Sequence, residues 1–170
     1  MEAILKRRSI REYDEQKKIA YEDLKKICAC GEAAPSARNQ KGRAYIIVDD
    51  PKLLNQLALG PGHADFVSKA KAAIVVMGKD PSNLSTPHMQ VQDLSCAVEN
   101  ILVAATSLGI GSCYIGVYPL EERMNYYKKL LNIKGNDFPF ALISLGYPKD
   151  EASFFDKAKL EDSMLYHNGC

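Results

Sequence analysis

Three short stretches carry the side chains able to hold a charged ligand: Arg7-Arg8-Ser9-Ile10-Arg11, Pro35-Ser36-Ala37-Arg38-Asn39-Gln40 and Lys157-Ala158-Lys159. Guanidinium forks, a hydroxyl and ammonium groups suit a phosphate monoester, and the Asn39 amide can read the edge of a polar heterocycle. A phosphate joined to a flat polar ring describes a nucleotide-like cofactor. Taken alone, an arginine-rich cluster is most often a solvated helix face. The signal lies in the order and spacing of the three.

Side-chain machinery for acid–base or nucleophilic chemistry is not advertised. Gly109-Ile110-Gly111 lacks the third glycine of a dinucleotide fingerprint and follows a helix instead of a strand. No Walker lysine follows a glycine-rich loop, and no Gly-x-Ser-x-Gly elbow occurs. Glu121 and Glu122 fall at a helix start, where the helix dipole explains them. The cysteines at 28, 30, 96, 113 and 170 contain no Cys-x-x-Cys pair. Cys28 and Cys30, two apart in a helix, point to different faces and cannot grip one metal, so the thiols are expected to be reduced and mostly buried. His63, His88 and His167 lack zinc-type spacing, and no metal site is expected. Chemistry absent from the side chains falls to a bound redox cofactor, which asks the protein for placement and electrostatics.

The elements that must position these residues alternate along one continuous domain, 1–170. Helices are predicted over about 2–8, 21–32, 52–59, 89–108 and 120–131, and strands over 44–48, 72–77, 113–117 and 138–148. The central helix carries Leu94, Ala97, Ile101, Leu102, Ala105 and Leu108 at spacings of three and four, and Gly109 ends it where a left-handed cap is wanted. The polar loop 78–87, with two prolines, is the natural mobile segment. Gly116 inside a strand marks either a simple bulge or close backbone approach by a ligand. The last 22 residues are amphipathic without a convincing helix, and Phe154, Phe155, Met164, Leu165 and Tyr166 need burial either on a partner subunit or on their own domain. With 22 basic and 21 acidic residues the chain has no broad positive field, and no aromatic platform accompanies the arginines, which argues against nucleic-acid binding. No apolar run approaches a membrane span and no signal-peptide pattern opens the chain, so a cytoplasmic protein is expected.

Read together, Arg7 to Arg11, Ala34-Pro35-Ser36-Ala37-Arg38-Asn39-Gln40, Gln92-Asp93-Leu94-Ser95-Cys96-Ala97-Val98-Glu99-Asn100, Leu108-Gly109-Ile110-Gly111-Ser112 and Leu145-Gly146-Tyr147-Pro148 resemble the nitroreductase family of FMN enzymes, in order and over nearly the whole chain. The resemblance implies an α+β fold with a central, mainly antiparallel sheet flanked by helices. It also implies a tight homodimer with two FMN sites at its interface and a C-terminal tail exchanged between subunits. By position, Arg7, Arg8 and Ser9 would hold the phosphate and ribityl end, joined by Lys157 and Lys159. Arg11 would reach the pyrimidine side. Pro35, Ser36 and Ala37 would contact the flavin from the partner subunit, with Asn39 on the ring edge, while Ile115 and Gly116 would supply a backbone amide. Hydride would pass from NADH or NADPH to flavin N5 and on to a nitroaromatic, quinone or similar small acceptor in ping-pong fashion. A flavin-binding protein for storage or sensing, with no open ring face, is the alternative.

The chain departs from the family pattern in three places. Gln40-Lys41-Gly42-Arg43 stands where Gln-Pro-Trp often follows the asparagine, so Lys41 either adds charge near the ring or faces solvent. The tail has lysines where arginines are frequent, which trades bidentate forks for point charges. The loop 78–87 leaves little room for a helical lid. Arg11 would stabilise charge on the reduced ring: at about 4 Å and an effective dielectric near 20, a unit charge pair is worth about 4 kcal/mol before desolvation.

Overall fold

The computed structural model describes residues 1–156 and 160–169. Four apolar runs form strands, β1 (Arg43–Val48), β2 (Ala72–Gly78), β3 (Gly111–Gly116) and β4 (Phe138–Gly146), joined into one sheet in the order β1-β2-β4-β3. Every pairing is antiparallel. The helices are α1 (Glu2–Lys6), α2 (Tyr21–Glu32), α3 (Pro51–Ala58), α4 (Gln90–Ser107) and α5 (Glu121–Leu130). The architecture is α+β, with a central antiparallel sheet as the sequence implied.

Strand alternation sends side chains to two apolar layers. Ile74, Val76, Ile143 and Leu145 pack with Leu24 and Ile27 of α2 and with Leu94, Ile101 and Ala105 of α4. Val75 and Leu142 turn the other way, towards Leu54 and Leu57 of α3 and Tyr127 of α5. Each fully buried aliphatic side chain stabilises the fold by about 1.5–3 kcal/mol relative to exposure. Helix starts follow local chemistry: the Asp50 carboxylate accepts from the Lys52 and Leu53 N–H groups, with Pro51 in the first turn of α3.

Three expectations need correction. The loop 78–87 is tied down: Asp80 accepts from Ser82 N–H and from Asn136, Asp137 accepts from Asp80 N–H, and Lys79 pairs with Asp137. Leu108 lies just past α4 and is exposed, because the helix ends before its face returns to the core. The thiols are not mostly buried: Cys30 and Cys96 are exposed, Cys28 is half-buried and Cys113 is buried. Cys170, Lys157 and Lys159 lie outside the described residues.

Candidate functional site

Beyond α1 the chain runs as an extended arm along the start of β3 and past the exit of β4. Ile10 N–H donates to Ser112 C=O at 2.9 Å, Asp14 N–H to Tyr147 C=O at 2.8 Å, and Lys149 N–H to Glu12 C=O at 3.1 Å. The buried Tyr13 ring pins the arm; its hydroxyl lies 2.7 Å from Ile10 C=O and 2.7 Å from Ser144 Oγ. Two glycines make room. A Cβ at Gly146 would stand 2.6 Å from Tyr13 Cδ1, and one at Gly111 would stand 2.9 Å from Ile10 Cγ2. Burial pushes the Tyr13 phenol above its ordinary range.

With Ile10 and Tyr13 committed to the core, the arm turns Arg8, Ser9 and Arg11 onto a cavity of about 760 Å³ that Lys149 and Phe155 also line. The Arg8 guanidinium lies under the Phe155 ring, 4.6 Å from its centroid. Its Nη1 donates to Arg7 C=O at 2.5 Å, while Nε and Nη2 are buried without a partner among the described residues, as is Ser112 Oγ beside Ser9. Unpaired buried donors on a cation are costly, and a phosphate oxygen is the acceptor they suit. Arg7 turns elsewhere. Its Nε sits 3.2 Å from Glu99 Oε1 on α4, so the structure separates it from Arg8 and Ser9.

Arg11 also lines a second cavity, of about 270 Å³, at the far end of β3. The Ser112 carbonyl faces the arm, so ladder alternation turns the N–H and C=O groups of Tyr114 and Gly116 to that same edge. Among the described residues no strand covers the edge beyond Ser112. Space beside Gly116 is open, since a Cβ there would meet nothing nearer than Tyr114 Oη at 4.0 Å. The Ile115 side chain packs into the core, which leaves its backbone alone at the cavity. Arg11 stacks 5.6 Å from the Phe66 centroid, and Arg123 Nη1 donates to Gly116 C=O at 2.7 Å. Free amide donors and two guanidinium groups complement a flat ring edged with carbonyl and imine acceptors. The residues present therefore fit both ends of FMN.

The segment 35–41 sits at the opposite edge of the sheet, leading into β1, about 14 Å from β3 across three strand spacings. Arg38, Asn39 and Lys41 hold φ of 50°, 54° and 48°, a left-handed conformation that side chains resist. A partly buried network braces it: Asp93 accepts from Ala37 N–H at 2.9 Å and Gln40 Nε2 at 2.7 Å, and, at the surface, Ser36 Oγ accepts from Lys41 N–H at 3.1 Å. Buried Arg43 donates to Glu32 Oε2 at 3.1 Å, Glu32 C=O at 2.7 Å and Ala34 C=O at 2.6 Å. Pro35, Ser36, Ala37 and Asn39 thus form a braced, outward-facing unit that a single copy does not bring to Arg11 or Gly116. Lys41 is exposed.

Sequence reasoning missed Lys149, Phe66, Arg123, Asp93 and Arg43. Asp93 had a visible signal, a carboxylate on an otherwise apolar helix face, but its partners come from 56 and 53 residues away.

The chain matches the model described as the nitroreductase family over residues 4–59 and 55–147. It belongs to that family. An Archaeoglobus fulgidus relative provisionally named NADH dehydrogenase/NAD(P)H nitroreductase is 44% identical over 157 residues, spanning 92% of this chain and 89% of its own. A Parabacteroides distasonis crystal structure with the same provisional name superposes with a TM-score of 0.90 at 34% identity, covering 99% of this chain and 97% of that one. An FMN-dependent nitroreductase from Clostridium difficile reaches a TM-score of 0.87 at 28% identity over the whole of both chains.

Proposed function

We propose that this chain is an FMN-dependent NAD(P)H oxidoreductase that works as a homodimer and reduces nitroaromatics, quinones or similar small acceptors. One observation carries the reading: Arg11 joins two cavities, one holding the buried, unpartnered donors of Arg8, the other floored by the uncovered edge of β3. That is a phosphate end and a ring end on one subunit. The nitroreductase name shared by the relatives, and the FMN dependence of the Clostridium difficile protein, support it.

When bound, FMN accepts two electrons from a nicotinamide and returns them to the acceptor. The protein's residues bind and orient. Arg8 and Ser9 hold the phosphate, with Lys149 adding charge at the cavity. Arg7 braces the arm through Glu99. Arg11 faces the pyrimidine side, and the Gly116 backbone donates to the ring edge while Ile115 anchors that backbone in the core. Pro35, Ser36, Ala37 and Asn39 close the site of the partner subunit, which explains a rigid unit held too far from its own cavity.

Exposed thiols at Cys30 and Cys96 suit the reducing cytoplasm. Among the described residues no helix is long and apolar enough to cross a membrane. An absorbance spectrum of the purified protein, followed by anaerobic addition of NADH or NADPH, tests the reading. Flavin bands that bleach are expected. A protein that takes up no FMN refutes the proposal, and bands that no nicotinamide bleaches reduce it to flavin storage or sensing.

A further inference from the structure

Arg123 stands in the smaller cavity without a role in the reading so far. It comes from α5, and its guanidinium bridges two backbone segments that the sequence keeps far apart. Nη1 donates to Gly116 C=O at 2.7 Å at the end of β3. Nη2 lies flat against Gly62, so close that a Cβ there would fall 2.0 Å from it. Gly62 has φ +104°, a conformation side chains rarely adopt, and the missing side chain leaves the space the guanidinium fills. The turn at Gly62 is thus built around Arg123.

Two consequences follow from this placement. The Gly116 carbonyl, which points to the uncovered edge of β3, is occupied from the α5 side, so Gly116 turns its N–H to a ligand with its own carbonyl already engaged. The cavity also holds a second fixed cation. Its lining residues include Arg11, Arg123 and His63 but no aspartate or glutamate, and among the described residues no ion pair involves Arg11 or Arg123. A positive charge without a neutralising carboxylate, at the edge of a low-dielectric floor, favours negative charge in whatever occupies the cavity.

We propose that Arg123 is a positioning residue for the ring end of FMN: it fixes the Gly116 backbone at the free edge of β3 and, with Arg11, favours the reduced ring over the oxidised one. This inference rests on the proposed FMN function. It assigns to Arg123 a discrimination between two redox states, which a purely structural brace would not provide, since a brace would strengthen binding of both states alike.

The test is the midpoint potential of the FMN-loaded protein, with the dissociation constant of oxidised FMN measured beside it. Arg123→Gln should loosen reduced FMN about tenfold relative to oxidised FMN, a fall of about 30 mV for a two-electron couple. Arg123→Lys, which keeps the charge but not the planar fork, should recover part of that fall. Gly62→Ala, which pushes the guanidinium off its seat, should lower the potential in the same direction and stands in if Arg123→Gln does not fold. An unchanged potential in Arg123→Gln, or in Gly62→Ala where that is the folded variant, overturns the assignment even if FMN affinity falls. Wild-type protein that binds no FMN removes the function and this role together, whereas a yellow wild type with unshifted variants removes Arg123 alone.

Discussion

Single side chains decide how the two ends of the ligand are held. Arg8→Ala removes a charge-assisted contact worth about 1.5–3 kcal/mol, so FMN should be retained about ten- to a hundredfold less well; cofactor occupancy after gel filtration measures it. Arg7→Ala should weaken retention less, because that guanidinium is spent on Glu99. Arg11→Gln should lower the flavin midpoint potential, by about 20 mV for each net kcal/mol lost, with the fold intact by circular dichroism; an unmoved potential removes Arg11 from the ring end. The arginine-serine cluster was legible in the sequence because its residue types have few other uses in that density. The split between Arg7 and Arg8 was not, since both occupy the same run and only the packing of α1 against α4 turns one towards Glu99. Arg123 was illegible for a related reason: Gly116, seven residues before it, and Gly62, far earlier in the chain, are brought to one guanidinium only by the fold.

Among the elements, the extended arm at residues 9–14 matters most, because it carries the binding groups yet owns only a few backbone hydrogen bonds. Its seat is cut by glycines in the strands it crosses. Gly146→Ala places a methyl against the buried Tyr13 ring, an overpacking that should cost about 1–3 kcal/mol in urea unfolding, and should release FMN although no ligand contact is altered. Retained FMN in a destabilised Gly146→Ala protein would separate the arm from the site. Helices and strands were readable from period and composition, with ends within a few residues. The arm was not, because extended chain without apolar alternation carries no periodic signal, and Tyr13 reads as an isolated aromatic until Gly146 is seen beneath it. Gly116 stood out in the sequence and lies beside open space in the structure, whereas Gly111 and Gly146, which make the room for the arm, drew no notice. The loop 78–87 misled for the opposite reason: prolines and polar residues suggest mobility, but Asp80 and Asp137 pair across 57 residues to hold it.

At the scale of the molecule, the proposed site would be two half-sites on opposite edges of one copy's sheet, which a second copy with the same arrangement would complete by two-fold symmetry. Phe155, Leu160, Met164, Leu165 and Tyr166 are all exposed in the single chain, which fits a tail that finds its apolar partner on another subunit. Sedimentation should therefore give twice the chain mass, and mixing Arg8→Ala with Asp93→Ala subunits should regain FMN that neither variant holds alone; a monomer in sedimentation sinks the shared site. The uncovered rim of β3 has a further side. Peptide groups left without neighbours invite foreign strands to add on; in the proposed site the vitamin-derived cofactor would shield them, so the empty apoprotein should be the form most prone to clump on storage and loading with FMN its natural protection.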